Sequence, residues 1–245
     1  MQSTSQQFND IYNSGVYECE VKAVINGVDY YENQLMDVSI QRELFGGNNV
    51  TIGSACVASC TLTLMSDTLT GKQLSDSIPR GARVEIWERI KGEQQDTTAN
   101  AIAGLAVAGV AIAGIATQYV TVNSEWLIQG VFFVDCRDYT SWTNRLRLDC
   151  IDRMAMADAD YPGDSDQWPK TDTAVVAQIA GYIGVDVDSE TVLGNSYSIP
   201  IPATYTMREV LGYIAAMYAG NWVITKAGKL LLLKLNGLPA EVEVQ

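Results

Sequence analysis

TMREVLGYIAAMYAGNWVITKAGKLLLLKL, residues 206–235, holds a helix start, an apolar helical stripe and a hairpin in one short run. Thr206 and Glu209 stand in the relation of a capping box. The threonine oxygen accepts an amide of the first turn while the glutamate reaches back to the cap. Met207, Val210, Leu211, Ile214 and Tyr218 then recur at helical spacing, and Gly220 follows, so the spacing predicts a helix over 207–219. NWVITKAGKLLLLKL continues as two short strands about a Lys226-Ala227-Gly228 turn. Just upstream, TDTAVVAQIAGYIGV (171–185) sets Val175, Val176, Ile179, Ala180 and Ile183 on one helical face. Both stripes read as core packing. From about residue 156 to 245 the chain therefore reads as a smaller α+β unit with two amphipathic helices.

Toward the amino terminus the period changes to two. VYECEVKAVI (16–25) alternates Tyr17, Cys19, Val21, Ala23 and Ile25 with Glu18, Glu20 and Lys22 before an Asn26-Gly27 turn. Further strands are expected in QLMDVSIQRE (34–43), SACVASCTLTLM (54–65), ARVEIWERI (82–90), WLIQGVFFVDCRD (126–138) and TNRLRLDCID (143–152). Short strands separated by turns indicate a barrel or sandwich. The expected class is α+β, mainly β, with one domain over 1–155 and a second over 156–245.

Composition narrows the chemistry. The chain has 245 residues, 47% of them hydrophobic, enough for a sizeable core. Its 16 basic against 29 acidic residues leave a formal charge of -13, which repels a phosphate backbone and argues against nucleic-acid readout. MQSTSQQFNDIYNSG lacks the basic start and apolar run of a secretory signal, which points to a chain made and folded in a cytoplasm. The five cysteines, Cys19, Cys56, Cys60, Cys136 and Cys150, match no disulfide framework and read as buried thiols. Cys56 and Cys60 fall on one strand face, but a zinc site wants four convergent ligands and the chain contains no histidine. The same lack removes Ser/His/Asp and Cys/His nucleophile systems. No cofactor and no enzymatic activity are expected.

Two stretches stand out. ADADYPGDSDQW (157–168) carries Asp158, Asp160, Asp164 and Asp166, and its Asp-x-Asp start is similar to that of a calcium loop. Pro162 then occupies the third ligand position and no glutamate closes the loop, so a solvated acidic turn is favoured over a cation site. AIAGLAVAGVAIAGIA (101–116) repeats one apolar pentad three times, and no Asp, Glu, Lys or Arg occurs between Asp96 and Glu125. Sixteen helical residues reach about 24 Å, short of the roughly 30 Å of a bilayer core. A five-residue period scatters Gly104, Gly109 and Gly114 around such a helix together with Ala101, Ile102, Leu105, Val107, Val110, Ile112 and Ile115, leaving no polar side. It needs burial by the rest of the fold, by symmetry copies or by lipid.

The run 205–239, together with WLIQGVFFVDCRD and LRLDCIDRMAMADADYP (146–162), resembles tail proteins of Firmicutes phages and prophages, related to the baseplate hub and to the amino-terminal part of tail-associated lysins. The likeness covers about three quarters of the chain, and Trp126, Gly130, Phe132, Asp135, Tyr161, Arg208 and Gly228 look like its fold markers. What it implies is a structural role without catalysis. The family's hub is a homotrimer of tail-tube-like β-barrels that closes the tube at the virion tail tip. The implied partners are the tail tube and distal tail protein, the tape measure and tip or fibre proteins, with genome DNA passing through unbound.

Two departures from the family follow. Relatives continue past the NGLP stretch, so the second barrel is expected to be incomplete or the chain to be a fragment. The apolar pentads form an insertion at about 97–120 in a strand-to-strand hairpin, where relatives have a plain loop. In a trimer, that loop is expected to plug the channel on the axis or to contact the host membrane during DNA delivery, a poorly ordered insert being the plainer alternative. A membrane-active, pore-forming protein and the amino-terminal part of a cell-wall hydrolase remain the alternative functions.

Overall fold

The computed structural model describes residues 4–45, 51–95, 119–139, 142–162, 168–202 and 204–235. The apolar loop residues Ala101, Ile102, Gly104, Leu105, Val107, Gly109, Val110, Ile112, Gly114 and Ile115 lie outside the described residues, as do Asp164 and Asp166.

In chain order the elements are α1 (Gln6–Asn13), β1 (Tyr17–Ile25), β2 (Val28–Tyr30), β3 (Leu35–Gln41), β4 (Ser59–Met65), α2 (Gly71–Ser77), β5 (Arg83–Gln95), β6 (Tyr119–Asn123), β7 (Leu127–Tyr139) and β8 (Arg145–Ile151). A 3-10 turn, Arg153–Asp158, then leads to β9 (Lys170–Thr171), α3 (Asp172–Ile183), β10 (Ser198–Ile199), α4 (Met207–Met217), β11 (Gly220–Ile224) and β12 (Leu230–Lys234). An eight-stranded sheet runs in the order β2-β1-β5-β7-β8-β4-β3, with β6 paired to β5. The mainly β, α+β class expected from the sequence is what the chain adopts. No closed barrel is found among the described residues. The sheet's edges explain this: β2 has only three residues, and β3 loses register between Leu35 and Asp37, so neither offers a long ladder.

Two compact units make up the chain, one drawn from Met1–Lys22 and Trp87–Leu127, the other from Ala23–Ile86 and Ile128–Gln245. In the smaller unit, Ser5 caps α1, its hydroxyl oxygen accepting from the Phe8 amide at 3.1 Å. The Ser5 amide donates to Glu125 at 2.6 Å, and the Ser5 hydroxyl donates to the other oxygen of that carboxylate. Ile11 is the buried residue of α1 and lies so close to Gly92 that a Cβ there would come within 2.7 Å of it. The smaller unit also clasps Trp126. Arg89 lies 4.4 Å and Lys22 5.0 Å from its ring centroid, and Glu20 holds Arg89 at 2.6 Å.

In the larger unit, β4 and β8 pair Cys60 with Cys150, Leu62 with Leu148 and Leu64 with Leu146, all six buried. The alternation in LRLDCI and SCTLTLM thus does what its period dictates. The main apolar cluster gathers Met154, Tyr161, Val175, Val176, Ile179 and Ile183 with Leu211, Ile214, Trp222, Leu230 and Leu232. The α3 stripe read from the sequence is buried in full. The Thr206–Glu209 capping box is present, the threonine amide donating to the glutamate at 2.8 Å.

The end of α4 corrects the expectation. The helix stops at Met217, Ala219 takes the left-handed turn at φ 51°, and Gly220 opens β11 instead of capping the helix. Glycine is needed there because a Cβ would lie 2.4 Å from the Leu233 carbonyl oxygen on the neighbouring strand.

Two helices were not foreseen. α1 has the cap Ser5, and α2 has a full capping box in Thr70 and Gln73. No helix among the described residues is long and apolar enough to cross a membrane.

Candidate functional site

Asp158 and Asp160, the described members of the acidic quartet, are both exposed. The Asp158 carboxylate is engaged by Arg208, with Nε at 2.8 Å and Nη2 at 2.9 Å, and Asp160 forms a backbone bridge with Thr206. No group of three or more metal-ligating side chains occurs among the described residues.

The fold markers have concrete duties. At Gly130 a Cβ would meet the Phe132 ring at 2.3 Å and the Arg42 guanidinium at 2.7 Å, so only glycine fits. Phe132 is fully buried. The Asp135 carbonyl and carboxylate accept from Arg80 at 2.6 and 3.0 Å. The Tyr161 hydroxyl donates to Gln178 at 2.7 Å, and its ring meets Trp168 edge-on. Gly228, at φ 81°, turns the β11–β12 hairpin, where a Cβ would come within 3.3 Å of Val131.

One cleft of the larger unit, about 280 Å³, is lined by Arg42, Cys56, Asp152, Ile224 and Lys226 among others. Asp152 follows β8 and caps the next 3-10 turn, its two oxygens accepting from the Met154 amide at 3.0 Å and the Ala58 amide at 2.9 Å. Burial pushes its carboxyl up to about 6, against the pull of those two amides, Arg208 and Arg42. Arg42 donates to the Gln129 carbonyl, and Lys226 donates to the Gln129 side chain at 2.6 Å. Burial lowers the Arg42 pKa, and the nearby Asp152 opposes that.

Burial also raises the thiols: Cys60 reaches about 12, and Cys150 goes higher still with Cys60 and Asp149 adding to the effect. These thiols stay protonated, packing groups and not nucleophiles. Cys56, Cys60 and Cys150 are buried as expected, whereas Cys19 and Cys136 are exposed. Their strands explain it, since Cys19 falls among the first three residues of β1, which are exposed on both faces, and Cys136 follows a register shift in β7.

A second cleft, about 290 Å³, is lined by Arg83, Val131, Phe133, Arg153, Val185, Ile224 and the Gly228 turn. Arg153 follows Asp152 directly, and its guanidinium lies 3.7 Å from the Phe133 ring centroid. Its Nε is buried and has no hydrogen-bond partner among the described residues. Sequence reasoning missed both clefts. Asp152 carried a usable signal, an aspartate between an apolar strand and a helical turn. Arg153 carried none.

The described residues thus form a large antiparallel sheet with a few helices, in a mainly β, α+β arrangement. No protein family and no curated protein matches the chain. Solved structures do match. The 43 kDa tail protein of prophage MuSo2 from Shewanella oneidensis aligns over 87% of this chain and 54% of its own, at a TM-score of 0.51 and 15% identity. The tail protein from Neisseria meningitidis MC58 aligns over 91% of this chain and 53% of its own, at a TM-score of 0.51 and 12% identity. At such identities the likeness is one of fold, and the chain spans about half the length of both proteins.

Proposed function

We propose that this chain is a structural, non-enzymatic protein of a phage tail. The observation that carries the reading is the shared fold over most of the chain with two tail proteins. In the full proposal it is a hub at the virion tail tip, assembled in the host cytoplasm as a homotrimer whose tube-like domains, with boundaries near 1–155 and 156–245, adapt the tube to the tip. The sheet stays open among the described residues, which supports completion by a neighbouring chain. The tail tube and distal tail protein, the tape measure and tip or fibre proteins are its partners, and DNA passes without specific binding. The charge of -13 suits a surface along which DNA slides.

The apolar loop around 101–115 acts as an axial plug or a transient contact with the host membrane. Gel filtration with light scattering tests the hub: three 26.7 kDa chains give about 80 kDa. A monomer at micromolar concentration contradicts it. Deleting residues 97–120 should spare tail assembly but end DNA delivery or cause leakage, and normal infection by such tails removes the plug.

A further inference from the structure

The cleft beneath Arg153 is built for something it does not itself supply. In a chain of 16 basic and 29 acidic residues, carboxylates are plentiful, and Arg80, Arg89, Arg147 and Arg208 each have one. Arg153 has none among the described residues. Instead its guanidinium lies over the Phe133 ring at 3.7 Å, with Nε shut away from solvent and without a hydrogen-bond partner. Stacking on the ring fixes the guanidinium plane and strips water from one side, which presents a rigid fork matched to a carboxylate.

The surroundings narrow the ligand. Val131, Phe133, Val185 and Ile224 supply apolar walls, and Arg83, paired with Glu85 at 2.9 Å, adds a second cation at the rim. The carboxyl end of α3 also reaches this cleft at Gly184. Its partial negative charge opposes a dianion such as phosphate and leaves room for a single negative charge.

We infer that this cleft docks a carboxylate carried by an apolar-flanked peptide segment of a partner polypeptide, with Arg153 as the fork and Phe133 as its platform. The partner being another tail polypeptide rests on the function proposed above; the binding chemistry does not.

The test is ligand-observed saturation-transfer NMR on the full chain with N-acetyl-Val-Glu-Val-amide, its Gln analogue, acetate and inorganic phosphate. The Glu peptide should bind at least tenfold more tightly than the Gln peptide, acetate and phosphate. Arg153→Lys, which keeps the charge but loses the fork, should weaken Glu-peptide binding about tenfold with the melting temperature unchanged. Equal binding of the Glu and Gln peptides overturns the inference, and that comparison needs no variant. Phosphate or acetate binding as tightly as the Glu peptide overturns it in favour of a general anion site or a small carboxylate. A chain that enters tails yet binds no peptide sinks the inference alone. Peptide binding by a chain never found in tails sinks the functional reading alone.

Discussion

Trp222, in the larger unit, is wholly buried and donates its indole N–H to the Leu211 carbonyl at 2.9 Å, whereas Trp126, in the smaller unit, is part-buried and attended by the cations of Lys22 and Arg89. The first is held by apolar burial, which salt barely touches. The second is held by charge, which salt screens over a Debye length of about 10 Å at 0.1 M. One chain therefore carries two kinds of cohesion, and solution conditions should separate them.

The largest effect should come from Trp222→Ala. Emptying that site removes about 3–5 kcal/mol and takes away the indole donor to the Leu211 carbonyl, a fall of roughly 10 °C in melting temperature that calorimetry would register at any salt concentration. A shift of only a degree or two would mean that the apolar cluster is not the keystone.

Next is Asp152, whose carboxyl is raised from its ordinary 3.8 to about 6. A raised acid binds its proton more tightly when folded. Its contribution to stability is therefore fully present below about 3.8 and is lost as pH rises through about 6. Urea unfolding of the wild type against Asp152→Asn should show the wild type losing on the order of 3 kcal/mol relative to the variant between pH 4 and 7. Parallel pH profiles would refute that environment for Asp152.

Thr206→Ala removes the cap of α4 and should cost about 1 kcal/mol in the same assay. An unchanged midpoint would show that water replaces the cap without loss. The smallest effect belongs to Arg89→Ala, roughly 0.5–1 kcal/mol at low ionic strength, shrinking toward zero in 1 M salt as Trp126 fluorescence reports on its surroundings. A loss independent of salt would mean that Arg89 serves through its apolar stem.

How much of this was legible follows from how local each signal is. α3 and α4 were read closely because a stripe and a capping box lie within a few turns of chain. The end of α4 was misread because the need for Gly220 is set by Leu233, on the partner strand. Ser5 and the Thr70–Gln73 box were local signals for α1 and α2 that strand periodicity overshadowed. Sheet order was out of reach, since Thr61 meets Asp149 across 88 positions and nothing in either segment names the other. The same holds for the sites. Asp158 was read as part of a solvated acidic turn, but that Arg208, fifty residues on, holds its carboxylate was not legible, and the cation over Phe133 exists only because β7 brings that ring to Arg153.

The proposal of a tail protein is tested most directly on particles induced from a host that carries the gene, purified on a density gradient and labelled with antibody to this chain. The account predicts the chain's peptides in the particle digest and gold at the tail end away from the head. Particles that lack the chain, and tails that form and infect normally without it, would contradict the account.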